Sequence, residues 1–144
     1  MLKRGSIVLS IWSGLNFLIS SLILTIVVFH IGNSPILDLV FEKSEIVSLD
    51  AKVIASLNTL TILYNSCSLV ISVLTWPLIR KNLVAGQKSA FWTLVFVIGF
   101  VEVMAFLASS YIGHGRWQVN VVQSVLYLAG ICLSGISIFK GDKK

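Results

Sequence analysis

Charged residues are scarce in this chain. They make up 12% of its 144 residues, against roughly 25% in soluble domains. Hydrophobic residues reach 56%, and the mean hydropathy is +0.94. A soluble domain of this size has too little polar surface to cover so much apolar area. The composition therefore excludes a water-soluble domain and leaves room for about four membrane spans of roughly 20 residues each.

Motifs that mark catalysis or cofactor binding are also missing. The sequence has no Gly-rich phosphate loop, no H-E-x-x-H and no nucleophile elbow. Its two cysteines, Cys67 and Cys132, form no C-x-x-C, and we expect both to be buried free thiols inside spans. His30 and His114 have no carboxylates at ligand spacing, which argues against a metal site. We therefore expect no metal and no cofactor.

Four apolar segments are long enough to cross a bilayer: residues 6–31, 53–79, 89–112 and 119–139. The first follows a basic MLKRG start, yet its apolar run is much longer than the roughly 7–15 residues of a signal peptide, and no cleavage site follows. We interpret it as a retained helix. The predicted fold is all-α, an integral membrane four-helix bundle of up-down topology that forms one membrane domain over residues 1–144.

Positive charge predicts the orientation, because Lys and Arg are retained on the cytoplasmic side. One side of the predicted bundle carries eight of them: Lys3, Arg4, Arg80, Lys81, Lys88, Lys140, Lys143 and Lys144. The other side carries three: Lys43, Lys52 and Arg116. Both termini are thus expected in the cytoplasm, with the chain in a bacterial cytoplasmic membrane. This topology accounts for the net charge of +5, so no nucleic-acid partner is expected.

The first connection is long enough to hold structure of its own. Ser34 followed by Pro35 is typical of an N-cap and the first position of a helix. Asp38, Glu42 and Glu45 then fall on one helical face, opposite the apolar residues. We predict a short amphipathic helix that rests on the membrane interface. A docking surface for a substrate or partner is the alternative.

Polar or small residues recur at helical spacing inside every span, with steps of about 3 and 4 residues. In the first span they are Ser13, Asn16 and Ser20, with Phe17 as a further candidate, and in the second Asn58, Thr61, Asn65, Ser68, Ser72 and Thr75. The third has Val95, Gly99, Glu102, Phe106, Ser109 and Gly113, and the fourth Asn120, Gln123, Tyr127, Gly130, Ser134 and Ser137. These faces should point into the bundle, because unsatisfied polar groups in hydrocarbon are costly. They serve either close helix packing or a hydrated, ligand-holding cavity.

Glu102 falls near the middle of the third span, in FVIGFVEVMAF. A charged side chain at the bilayer centre costs about 2.5–3.5 kcal/mol on insertion scales, and such residues usually face the bundle interior and mark a site. The residues at the same depth complete the predicted ligand site: Glu102, Asn16, Tyr64, Asn65, Gln123 and Tyr127. A carboxylic acid that serves only as an interhelical hydrogen-bonding group is the alternative. Trp12, Trp76, Trp92 and Trp117 are expected in the interfacial belts.

The order of features resembles DoxX-like small four-helix bacterial membrane proteins. The features are the basic N-terminus, NSPILDLV in the first loop, PLIRKN after the second span, and a third span with a central acid that ends in YIGHGRW. This resemblance implies the architecture and transfers no catalytic residue. A second likeness is to eukaryotic four-helix sterol-isomerase and sigma-2-receptor-like proteins, whose acids in a membrane cavity hold cationic or sterol-like ligands. Of such acids this chain offers Glu102.

Three functions follow as hypotheses. The first is a small membrane protein with a polar midplane cavity around Glu102 that binds or moves a small cationic or lipid-soluble ligand. The second is a non-catalytic structural or accessory subunit, either a homo-oligomer or part of a larger membrane complex. The third is an intramembrane enzyme with Glu102 as acid or base, and the lack of a base partner argues against it. We expect no catalytic residues, and the lipid bilayer as the constant partner.

Overall fold

The computed structural model describes residues 2–29, 31, 34–111 and 117–140. Within them the chain forms six α-helices and no strand: α1 (Leu2–Val28), α2 (Pro35–Val40), α3 (Lys43–Ile46), α4 (Ala51–Pro77), α5 (Lys88–Tyr111) and α6 (Trp117–Lys140). Four of these, α1, α4, α5 and α6, are long and apolar enough to span a membrane. The predicted all-α fold with four spanning helices is confirmed.

Some residues that the sequence predictions use lie outside the described part of the chain. They are His30, Ile112, Gly113, His114, Arg116, Lys143 and Lys144, together with the side chains of Ser109 and Trp117. What was expected of them stays a prediction.

Helix α1 is the centre of the packing. It runs along α4 on one side and along α6 on the other, and α5 packs mainly against α6. Consecutive long helices are antiparallel, so α1 is antiparallel to both of its main neighbours. A six-residue π-helical segment, Leu78–Leu83, follows Pro77 and links α4 to α5. Pro77 has no amide hydrogen to donate to the helical ladder, and a break in the α-helical register is typical of such a position.

The polar residues of the stripes point inward where the structure describes them, but Phe106 of the predicted α5 stripe is 48% exposed and does not belong to the inner face. The buried side chains of α4 are Thr61, Asn65, Ser68, Ser72 and Thr75, five of the six residues in its stripe. The sixth, Asn58, is partly buried. On α1, Ser13, Asn16 and Ser20 are buried, whereas Phe17 is 40% exposed and does not belong to the inner face. Large apolar side chains such as Leu18, Leu63 and Phe96 cover the outer faces, where they contact lipid.

Glycines let α1 and α6 approach each other closely. A Cβ added at Gly5 would meet the side chain of Ser134 and lie 2.9 Å from the carbonyl oxygen of Gly130. A Cβ added at Gly130 would lie 2.6 Å from Cγ of Leu9. Lipid supplies no hydrophobic drive for helix association, so close van der Waals contact of this kind is a main source of bundle stability.

The first connection contains two short helices rather than one. The predicted start is confirmed, because α2 begins at Pro35 with Ser34 as its N-cap residue. The expectation that Asp38, Glu42 and Glu45 share one helical face was wrong. The backbone turns extended at Phe41, and Glu42 becomes the N-cap of α3 in a reciprocal capping box with Glu45. The capping box of two glutamates therefore ends the helical run and starts a new helix. Leu37, a residue of α2, is buried.

Both cysteines lie on outward faces of their helices. Cys67 on α4 and Cys132 on α6 are exposed free thiols, so the expectation of buried thiols was wrong. Cys67 directly precedes Ser68, which takes the inward position. A thiol is apolar enough to face lipid, so burial inside the bundle is not required.

Candidate functional site

Glu102 lies inside the bundle on α5. Its side chain is 7% exposed, and both carboxyl oxygens accept hydrogen bonds from neighbouring helices. The indole N–H of Trp12 on α1 donates to Oε1 at 2.7 Å, and the hydroxyl of Ser124 on α6 donates to Oε2 at 2.6 Å. Three helices therefore meet at one carboxyl group. The inward orientation of Glu102 follows its predicted depth, but neither partner was among the residues expected around it.

Trp12 is fully buried, which contradicts its assignment to the interfacial belt. The sequence did contain a signal for this position. Trp12 precedes the inward-facing Ser13 and lies four residues before Asn16, so it shares their helical face. An indole N–H can only donate a hydrogen bond and needs a partner when it is buried. Glu102 is that partner, and the indole ring belongs to the main hydrophobic core.

Ser124 is the second residue that sequence reasoning missed. The predicted stripe on α6 passed through its neighbour Gln123, which is partly buried and makes no hydrogen bond within the part of the chain that the structure describes. Ser124 lies four residues after Asn120 and three before Tyr127, and this spacing places all three on one face. Asn120 donates to the backbone oxygen of Ala105 at 3.3 Å.

Asn16 belongs to a different set of contacts from Glu102. Its amide donates to the Ser72 hydroxyl at 2.9 Å, and its oxygen accepts from the Ser68 hydroxyl at 3.0 Å. One turn earlier, the Ser13 hydroxyl donates to the backbone oxygen of Ser72 at 2.9 Å. These side chains hydrogen-bond α1 to α4. Along this interface the polar stripe serves helix packing.

The remaining predicted site residues surround Glu102 at different distances. The Tyr127 hydroxyl donates to the backbone oxygen of Val95 at 2.8 Å, and its ring passes over Gly99. Tyr64 is 54% exposed on the flank of α4 and is near enough to Glu102 for the two groups to interact electrostatically. Asn65 is buried but donates to the backbone oxygen of Thr61 within its own helix. Tyr64 and Tyr127 thus share the neighbourhood of Glu102, and Asn16 and Asn65 hydrogen-bond elsewhere.

Charge distinguishes the two ends of the bundle. We name the end that carries Lys3, Arg4, Arg80, Lys81, Lys88 and Lys140 the basic end. The opposite end, with Asp38, Glu42, Glu45 and Asp50, is the acidic end. The Glu102–Ser124 hydrogen bond divides the bundle into a basic half and an acidic half. The site therefore lies at the boundary between two regions that can be compared.

The main hydrophobic core fills the basic half. Its members are Leu9, Trp12, Ile79, Leu83, Phe91, Leu94, Ile98, Tyr127 and Ile138. On α5 every one of them precedes Glu102, and on α6 every one follows Ser124. In the acidic half the buried apolar side chains of the described residues are Val27 and Leu37. Glu102 consequently has an apolar seal on one side and a polar interior on the other.

The arrangement offers a carboxyl group beside aromatic rings, held by two neutral donors. Neutral hydrogen bonds stabilise a carboxylate without cancelling its charge. Within the described residues, no group of three or more His, Cys, Asp or Glu is placed to hold a metal ion. The chemistry available is therefore that of one acid, which takes up a proton or attracts a cation.

Comparison with known proteins gives no relative from which to assign a role. No protein-family model matches the chain, and no curated protein or solved structure matches it.

Proposed function

We propose that this small polytopic membrane protein binds a small cationic or lipid-soluble ligand at the Glu102 carboxyl group. The observation that carries the proposal is that Glu102 accepts hydrogen bonds from Trp12 and Ser124 and pairs with no cationic side chain of the described residues. An unpaired carboxylate at mid-span costs several kcal/mol. A ligand cation or a proton removes that cost, and binding of either is therefore favourable.

Aromatic rings around the carboxyl group favour an organic cation. Trp12 contacts Glu102 directly, and Tyr64 and Tyr127 lie in its neighbourhood. The face of an aromatic ring attracts an ammonium group, by about 2 kcal/mol or more when the pair is desolvated. An acid together with aromatic rings recognises amines. We propose a small amine as the ligand class, with Glu102 as counter-charge.

Binding of hexylammonium, with 1-hexanol as its neutral analogue, tests this proposal. Purified protein in lipid nanodiscs should bind hexylammonium and show no comparable affinity for hexanol. Glu102→Gln keeps an acceptor for Trp12 but removes the charge, and it should weaken hexylammonium binding by about tenfold or more.

Asp38→Asn is the matched control, because it removes one carboxylate from an exposed position outside the spans. It should leave hexylammonium binding unchanged. Equal binding of hexylammonium and hexanol, or undiminished binding to the Glu102→Gln variant, would contradict the proposal.

A structural or accessory subunit is the second candidate. The hydrogen bonds that Asn16 makes with Ser68 and Ser72 support it, because they use the polar stripe for helix packing. In that case Glu102 serves the same purpose, and the Glu102→Gln variant behaves like the native chain in the binding assay. A stoichiometric protein that co-purifies from native membranes and is lost on mutation of an outer face would then identify the role.

We also propose that both termini lie in the cytoplasm of a bacterial cell and that the chain resides in its cytoplasmic membrane. Support comes from Lys3, Arg4, Arg80, Lys81 and Lys88, all at the basic end. Reporter fusions at residues 1 and 144 should be active only on the cytoplasmic side, and an external reporter at either terminus would reverse the orientation. Kinship with the DoxX-like group stays a prediction from the sequence.

A further inference from the structure

We infer that Glu102 exchanges its ligand with water at the acidic end of the bundle alone, and that the ligand is a small water-soluble ammonium ion rather than a lipid. This inference rests on the proposed function, because it specifies the access and the ligand class of the same site. Three observations carry it: the position of the hydrophobic core, the distribution of amide side chains, and the decline in burial along α5 and α6.

The hydrophobic core closes the basic half. Leu94 and Ile98 lie two turns and one turn before Glu102 on α5, and both are fully buried. Trp12, also fully buried, covers the carboxyl group from α1. Ile79 and Leu83 of the π-helical segment are fully buried at the basic end. A hydrated ion that travels through these side chains would lose its water without any replacement ligand, which is prohibitive.

Amide side chains lie on the other side of Glu102, in the acidic half. Every Asn and Gln of the four long α-helices whose side chain the structure describes lies in the acidic half: Asn16, Asn58, Asn65, Asn120 and Gln123. Amides bind water at both their oxygen and their nitrogen. Asn120 and Gln123 precede Ser124 on α6 by one turn or less, so they extend the polar face from Glu102 toward the acidic end.

Two of these amides have hydrogen-bonding capacity that the protein does not satisfy. The Asn58 oxygen is buried and has no partner, and a buried polar atom of this kind usually binds ordered water. The side chain of Gln123 is partly exposed and makes no hydrogen bond within the described residues. The Ser10 and Ser134 hydroxyls of the basic half are also unpartnered. Ser134 lies directly against Gly5, with no room for water between them.

On α5 and α6, burial decreases from Glu102 toward the acidic end. Beyond Glu102, no described side chain of α5 is buried, and none on α6 is buried before Tyr127. The interior of this half is therefore not sealed by large side chains. Over the described part of this approach, Asn120, Gln123 and Ser124 offer polar groups to a water-borne ammonium ion.

Cysteine accessibility in sealed membrane vesicles, prepared in each orientation, tests the route. Single cysteines replace Gln123 or Asn120 in a chain that carries Cys67→Ala and Cys132→Ala. The probe is a membrane-impermeant thiol reagent with a trimethylammonium group. Ser44→Cys reports the acidic end and Lys81→Cys reports the basic end, since both side chains are exposed. These two references make the test independent of the absolute orientation.

Gln123→Cys should react in the vesicles in which Ser44→Cys reacts and stay unreactive in those in which Lys81→Cys reacts. Ser10→Cys, buried in the basic half, should stay unreactive in both. Native Cys132, retained alone, is the lipid-facing control on the same helix and should not react with a charged reagent. Asn120→Cys repeats the measurement if Gln123→Cys fails to fold.

Comparison with an anionic thiol reagent adds a test of the charge. The quantity compared is the ratio of the reaction rate with the cationic reagent to that with the anionic reagent. This ratio should be about tenfold higher at Gln123→Cys than at Ser44→Cys, because Glu102 raises the local cation concentration. Glu102→Gln should abolish this excess. An unchanged ratio in that variant would contradict the inference.

The outcomes separate the inference from the proposed function. Reaction of Gln123→Cys and Asn120→Cys from both ends, or from neither, overturns one-sided access while hexylammonium binding stands or falls separately. Reaction from the acidic end, together with hexylammonium binding that does not depend on Glu102, keeps the access route and removes the proposed function. A phospholipid whose headgroup carries the same charge as hexylammonium gives a further outcome. If this phospholipid slows the reaction of Gln123→Cys with the thiol reagent and hexylammonium does not, the site binds a lipid and the proposed ligand class is wrong.

Discussion

The two halves of the bundle use different means to hold the same four helices together. In the basic half, apolar side chains such as Leu9, Leu94 and Ile138 interdigitate, and Gly5 brings α1 and α6 into close contact. In the acidic half, side chains such as Asn16 and Ser68 hydrogen-bond the helices instead. Lipid is as apolar as leucine, so the first half gains stability from packing and the second from polar contacts.

This difference suits the ligand-binding role that we propose for the carboxyl group of Glu102 at the boundary. The basic half supplies rigid positions, and Trp12 anchors Glu102 to them. The acidic half supplies polar groups and looser packing, which are what a ligand needs for approach. A site placed wholly within the core would be inaccessible, and a site at the acidic end would lack a rigid support. The comparison predicts that substitutions in the basic half cost more stability than those in the acidic half.

The largest effect is expected from Trp12→Ala. It removes a fully buried side chain and leaves a cavity in the core, at a cost of about 3 kcal/mol. The measurement is the free energy of unfolding in mixed micelles. Trp76→Ala on the outer face, where the ring is 44% exposed, is the control and should cost less than about 1 kcal/mol. Equal losses for the two tryptophans would show that the core does not dominate stability.

A smaller loss is expected from Gly5→Ala, which places a methyl group against the backbone of α6. Overpacking of this kind should destabilise the bundle by about 2 kcal/mol. The matched control on the same helix is Gly14→Ala, where the nearest atom to the new Cβ is 3.9 Å away. Because Ala is the better helix former, that variant should be neutral or more stable by up to about 1 kcal/mol. A tolerated Gly5→Ala would mean that α1 and α6 are further apart.

At the boundary, Glu102→Leu should cost about 1–2 kcal/mol, because the Trp12 N–H and the Ser124 hydroxyl lose their acceptor. Glu102→Gln retains an acceptor and should cost less than half of that. Chemical denaturation of both variants in the same detergent gives the ratio. A Leu variant as stable as the native protein would imply that these hydrogen bonds do not hold the three helices.

The smallest effect is expected in the acidic half from Asn58→Leu. The Asn58 oxygen has no protein partner, so its loss should change the free energy of unfolding by less than about 0.5 kcal/mol. Asn16→Leu is the matched comparison, because that amide hydrogen-bonds to Ser68 and Ser72, and it should cost about 1 kcal/mol. A loss of more than about 0.5 kcal/mol in the Asn58→Leu variant would reveal a packing role for this side chain and weaken the case for water there.

Much of the helix layout was readable from the chain. The stripe from Thr61 to Thr75 gave the inward face of α4, because helical periodicity is a local property that needs no knowledge of the neighbours. Glu102 was recognisable by its cost in hydrocarbon. Ser124 was missed because a serine carries little signal among many hydroxyls, and Trp12 because an interfacial role is the commoner one for tryptophan. That the six predicted residues bind a ligand stays a prediction.

The sequence alone determined that the chain occupies a membrane with four helices and which face of α4 points inward, because hydropathy and periodicity are local and lipid penalises exposed polar groups. Only the tertiary structure decided which inward faces meet. In that structure Asn16 hydrogen-bonds to α4, Gly5 packs against α6, and Glu102 accepts hydrogen bonds from both Trp12 and Ser124. Partner choice depends on the distance and rotation between helices, and these follow from the sum of many weak van der Waals and hydrogen-bond contacts that no single residue pattern encodes.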